Sequence, residues 1–213
     1  MQDVYQPCPC GSGAKLKFCC YKKVQEIKRQ DPIALIKKAA DFKVSECLIR
    51  EDWEDDGLAV VLVVRNLPNQ RYLFALYSVD TYCLGVKDAF CNANTALDKI
   101  EGLKRRSPYD FVPIEYEKAR NLILGAVDYA RSFGFEPHED WYPAKYLIEP
   151  DAPYEKCFQY GKDGKPCYIS GPHDNPTEIL EKLGRATDGD FGMLVGSELP
   201  RGVGLGSTDF LLE

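Results

Sequence analysis

The sequence predicts an α+β protein: a small cysteine-rich unit at the N-terminus, then an antiparallel sheet packed with several helices. Four cysteines crowd the first twenty residues. Two apolar runs of strand length, 58–65 and 72–79, are separated by a turn too short for a parallel crossover. An apolar stripe over 114–133 repeats with the period of a helix.

In chain order, Tyr21 to Gln30 is basic and reads as a helix. Asp31-Pro32 then supplies an N-cap and a first-turn proline. Ile33, Ile36, Ala39 or Ala40, and Phe42 recur at helical spacing, so 32–42 reads as one amphipathic helix. Residues 45–51 look like a strand, followed by a turn at Glu54-Asp55-Asp56-Gly57. Leu58 to Arg65 is continuous and β-branched, as suits a strand buried on both faces. Tyr72 to Val79 returns beside it. Asp88 to Leu103 reads as a weaker helix, ended by Arg105-Arg106-Ser107-Pro108. The strongest helix covers 114–133, with Glu115 and Glu117 at its start and Gly134 just past its end. A short helix follows at 140–147, and Phe158 to Ile169 reads as a hairpin turning on Asp163-Gly164. Asn175-Pro176-Thr177-Glu178 opens a last helix, which Gly184 stops. From Thr187 onward six glycines fall in 27 residues, a tail or a wrapping segment with apolar islands at Phe191–Val195 and Phe210–Leu212. Three regions follow: 1–30 a knuckle and basic linker helix, 31–186 an α+β body, and 187–213 the glycine-rich segment.

Cys8, Cys10, Cys19 and Cys20 form the pattern C-x-C-x8-C-C, with glycines that permit tight turns. Four such thiols can converge on one tetrahedral ion at a metal–sulfur distance of about 2.3 Å. Thiolate is a soft ligand and zinc tolerates this geometry, so structural zinc is the expected cofactor. Disulfides and idle structural thiols are the alternatives: disulfides need an oxidising compartment, whereas Met-Gln-Asp-Val-Tyr-Gln lacks the basic start and apolar core of a signal peptide, and structural thiols usually sit singly in apolar strands rather than in a Gly/Lys-rich hairpin. Four protein ligands leave no open position for water or substrate, so the ion serves folding rather than chemistry.

The stretch Cys8 to Cys20, with Pro9, Gly11-Ser12-Gly13, Lys15, Lys17 and Phe18, resembles a SEC-C motif. That zinc-binding knuckle stands at the carboxyl end of the bacterial preprotein translocase ATPase and at either end of many bacterial proteins. The resemblance implies zinc, with Cys20 as fourth ligand, and docking toward a protein partner or the ribosome. It assigns no activity to the remainder of the chain.

Charge is unevenly distributed. The net charge is −6, yet residues 1–38 hold eight Lys/Arg against three acids, a local +5 that leaves −11 on the remainder. A basic head on an acidic body suits docking to an anionic surface, such as RNA, ribosome or an acidic protein. The same lysines would also serve simply to solvate a small knuckle and helix. No apolar run approaches the ~18 residues of a membrane span. Nine cysteines without an export signal suit a reducing cytosol, and Cys47, Cys83, Cys91, Cys157 and Cys167 read mostly as small core residues.

The second functional reading is an enzyme, a hydrolase for instance, recruited by the knuckle. His138 and His173 each follow a proline and precede an acid, in loops where binding groups tend to collect. If those loops meet, His138, Asp140, His173 and Asp174 could form a metal site or an acid–base pair. Val79 to Asp88 reads as leaving a strand for a helix, so Cys83 and Lys87 could line a cleft at the sheet's end. Plain structural roles are open for all four: loop imidazoles fixing turns, a packed thiol and its neighbour. No P-loop, G-x-G-x-x-G or G-x-S-x-G is present, and Gly161-Lys162-Asp163-Gly164-Lys165 lacks the spacing of a phosphate cradle.

Overall fold

The protein is described here by a computed structural model covering residues 3–8, 10–68, 70–171 and 174–194. Five strands form one antiparallel sheet: Val44–Arg50 (β1), Leu58–Asn66 (β2), Tyr72–Asp80 (β3), Gly85–Thr95 (β4) and Phe111–Pro113 (β5). Their spatial order is β4-β3-β2-β1-β5. β1 to β4 are therefore a plain meander, as the short connections require.

Helices cover both faces. On one face Ile100 and Leu103 of α4 (Leu97–Arg106) pack on Leu48, Val60, Leu62, Val64, Phe74 and Leu76. The other face meets α2 (Pro32–Lys37), α5 (Tyr116–Ser132) and α6 (Trp141–Ala144) across Ile49, Ala59, Val61, Val63, Ala75 and Tyr77. This double cover explains why β2 has no polar alternation until Arg65. Ala119, Leu122, Ile123, Ala126, Val127 and Ala130 form the buried stripe of α5, as their spacing predicts.

Several expectations need correction. The helix expected over 88–103 is instead β4 followed by α4. Asp80 turns the chain back by accepting from the backbone N–H of Tyr82, Cys83 and Leu84, and Gly85 completes the hairpin at a φ of 69°. Ala89, Cys91 and Ala93 then face one core and Phe90 the other, so cross-strand burial outweighs a weak helical signal. The amphipathic helix expected over 32–42 stops at Lys37 and resumes as a 3-10 turn over Ala39–Asp41, leaving Ile33 exposed. Residues Trp53–Asp56 form a single helical turn (α3), which Gly57 ends in the left-handed region.

The hairpin expected over 158–169 shrinks to one bridge, Lys162 with Lys165, across a turn with positive φ at Asp163 and Gly164. Its second arm, Cys167–Ile169 (β6), pairs in parallel with Gly192–Leu194 (β7) rather than with its own first arm. The last helix, α7 (Pro176–Thr187), is capped by the Asn175 side chain as expected but runs past Gly184. Residues 195–213, including Phe210–Leu212, lie outside the described residues.

Two buried arginines tie the chain segment after α6 to this frame. Arg65 donates to the carbonyls of Phe42 and Leu147, to the Tyr116 hydroxyl and to Glu149. Arg120 donates to the carbonyls of Ile148, Glu149, Ala152 and Pro153. Burial alone would raise the Glu149 carboxyl, but the hydrogen bonds from Arg65 and Tyr116 outweigh it and hold the group below its ordinary range. Replacing Arg65 by Met keeps the volume and strands at least two carbonyl acceptors. Urea denaturation of Arg65→Met should show a loss of roughly 2–5 kcal/mol, whereas Arg105→Met on the exposed side of α4 should cost under about 0.5 kcal/mol.

Candidate metal centre

The first sulfur, Cys8, sits on the incoming arm of a tight loop. Its backbone N–H donates to the Ala14 carbonyl at 2.7 Å, and Pro7 bridges Lys15, so the two arms lie side by side. Gly11 and Gly13 both adopt positive φ, which lets the chain reverse between Cys10 and Ala14. A 3-10 turn over Leu16–Phe18 then delivers Cys19 and Cys20 to the same point. Cys20 is the N-cap residue of α1 (Tyr21–Arg29). Leu16 and Val24 pack against Cys8 and Cys20 as a small apolar floor.

The four sulfurs all lie within 4.8 Å of one another. Cys10 and Cys19 are 3.5 Å apart, and Cys19 and Cys20 are 3.7 Å apart. A tetrahedral ion with metal–sulfur bonds of about 2.3 Å has sulfur–sulfur edges of about 3.8 Å. The cluster is thus already close to the size of the coordination shell. Ser12 Oγ stands 3.2 Å from the Cys19 sulfur, placed to hydrogen-bond it as an outer support. Without an ion the thiols compete for protons. Hydrogen bonds from Ser12 draw Cys10 down to about 6, whereas hydrogen bonding with Cys8, reinforced by burial and the other sulfurs, pushes Cys20 up to about 12. A bound cation would favour the thiolate form of its ligands over the thiol.

The body candidates fall into separate places. Cys83 lies in the β3–β4 turn, not at a strand-to-helix junction, and it is fully buried. Its thiol donates to the Cys167 carbonyl at 3.3 Å. Burial, aided by Asp80, raises its pKa, the reverse of what an attacking thiolate needs. Lys87 is spent on an ion pair with Asp174 at 3.0 Å; Asp174 also accepts from the Gly171 N–H and the Tyr168 hydroxyl. Asp174 is accordingly a local brace, and His173 lies outside the described residues.

His138 is half-exposed at the outer edge of β4, where its backbone N–H donates to the Val86 carbonyl. Its Nδ1 lies 3.3 Å from Asp140 and 3.9 Å from Asp88, a second group with ligand-type atoms within 4.8 Å. Asp88 escapes a sequence reading that assigns it to a helix; a strand starting at Gly85 is the signal that would have placed it there. Of the remaining cysteines, Cys47 and Cys167 are buried, Cys91 is half-buried and Cys157 is exposed, so Cys157 departs from the expected core role. A shallow cleft of about 400 Å³ lies between β1 and the start of α5, lined in part by Glu46, Cys47, Glu115 and Lys118. Burial pushes the Cys47 thiol there up to about 12, so it is no nucleophile at neutral pH.

No known protein family matches the chain, and neither a curated protein nor a solved structure does. The centre is accordingly defined by its own geometry: four cysteines placed to bind one metal ion. Metal must displace the Cys20 proton at any neutral pH, and below about pH 6 the Cys10 proton as well. Apparent zinc affinity, read by chromophoric competition, should therefore fall with falling pH, and more steeply below about pH 6. Cys10→Ser or Cys19→Ser should lower affinity at every pH by at least about tenfold.

Proposed function

We propose that the N-terminal segment is a zinc knuckle of SEC-C type and serves as a docking module for an anionic partner. The observation that carries the first half is the closure of the cluster. Four sulfurs within 4.8 Å of one another supply all the ligands of a tetrahedral ion, so such an ion would have no position left for substrate and its work would be to fold the segment around Cys8–Cys20. Zinc fits best because thiolate softness and tetrahedral geometry select it over the hard cations. A reducing compartment belongs to the same reading, since the thiolates must stay unoxidised.

Docking is supported by charge and exposure. Lys15, Lys17, Lys22, Lys23, Lys28 and Arg29 are all exposed, around the cluster and along α1. Four thiolates on one divalent ion subtract two charges, which leaves the 1–38 head at about +3 against the acidic body. No helix among the described residues is long and apolar enough to cross a membrane.

Heparin chromatography of the full, zinc-loaded chain tests this reading. Despite a net charge of −6, the protein should be retained at low salt and released as salt rises. Lys15→Glu/Lys17→Glu should elute markedly earlier, and the metal-free Cys10→Ser/Cys19→Ser variant should flow through. Passage of the loaded wild-type chain without retention would remove the anionic docking role, and a metal content well below one ion per chain would remove the knuckle.

A further inference from the structure

On the face of the knuckle turned to solvent, two aromatic rings stand beside two lysines. Phe18 is 73 % exposed and Tyr5 is 52 % exposed, among the most exposed large apolar side chains described. Lys17 Nζ donates to the Tyr5 hydroxyl at 2.8 Å and lies 4.9 Å from the Tyr5 ring centre and 5.8 Å from that of Phe18. Lys15 Nζ lies 5.8 Å from the Tyr5 ring centre. The Tyr5 N–H is fixed in turn by Asp3, and the Phe18 N–H by the Lys15 carbonyl. Ring and ammonium are thus held together on the same hydrogen-bonded loop that presents the four cysteines.

We propose that Tyr5, Phe18, Lys15 and Lys17 form a binding surface for single-stranded RNA. The inference rests on the docking reading above and specifies its partner. Lysines alone would serve any polyanion, but an acidic peptide gives two water-exposed rings nothing to do. A single strand uses both: unstacked bases lie on aromatic faces while ammonium groups meet the backbone phosphates. A duplex keeps its base faces covered, so the rings could not engage it. Splayed, unpaired bases are the usual targets of sequence-reading RNA proteins, and the Tyr5 hydroxyl, which accepts from Lys17, keeps its own proton to donate to a ribose 2′-hydroxyl or a phosphate.

The test is fluorescence anisotropy with the full, zinc-loaded chain and a fluorescein-labelled polyuridylate of about 12 nucleotides. Its duplex with polyadenylate, the DNA counterpart and labelled polyglutamate serve as the other arms. Polyuridylate should bind tightest. Phe18→Ala should weaken it about tenfold or more and Phe18→Trp should restore it, with metal content confirming that each variant keeps its knuckle. Lys15→Ala/Lys17→Ala should lower the salt slope by about 1.4, at about 0.7 for each phosphate no longer neutralised. Equal binding of the duplex or the DNA, or an unchanged affinity in Phe18→Ala, overturns the RNA inference. Binding of polyglutamate without RNA binding overturns it too while leaving the docking role in place; binding of neither probe, with no heparin retention, removes both.

Discussion

Burial of the β2–β3 hairpin on both faces is the constraint from which the body follows. A strand as apolar as Leu58–Val64 cannot leave either side in water, so one face takes α4 and the other takes α2, α5 and α6. That requirement also settles β4. Its residues are poor strand formers by composition, yet once Asp80 and Gly85 turn the chain back, pairing along β3 buries Ala89 and Val86 and half-buries Phe90. Arg65 and Arg120 do by hydrogen bonding what apolar contact does elsewhere. Each satisfies carbonyls of an irregular segment that would otherwise be buried without donors.

The candidate metal centre obeys a different rule, because its arms are held by backbone hydrogen bonds and by four converging cysteines rather than by a large apolar area. Among the described residues, Leu16, Val24, Cys8 and part of Cys20 make up its apolar floor. A unit this small has little hydrophobic burial to fold on, and ligation of an ion by its four cysteines would substitute for a core. The opposite shifts of Cys10 and Cys20 reflect the same closeness of the four sulfurs, all within 4.8 Å of one another.

Much of this was legible in the chain. The spacing of the four cysteines, the continuous run 58–65 and the stripe of 114–133 are local patterns, and each emerges where the residues put it. What stayed hidden depends on partners distant in sequence. Asp88 reaches His138 only because β4 is a strand, and β6 pairs with Gly192–Leu194 rather than with its neighbour. The packed state of Cys83 is likewise invisible locally; its carbonyl partner lies 84 residues away. Tyr5 stands beside Lys15 and Lys17 because backbone hydrogen bonds lay the chain before Cys8 along residues 14–17, a pairing no local pattern announces.

The helix α1 has Val24 in the small floor beneath the sulfurs and Ile27 in the main core, within a single turn of one another. The basic head is therefore not a tethered hook that swings freely; Ile27 fixes it to the main core of a chain whose residues after 38 carry −11. On the docking reading proposed above, a polyanion held by the head would meet like-charge repulsion wherever it strayed over that body, which would confine its footprint to a short stretch of a long strand.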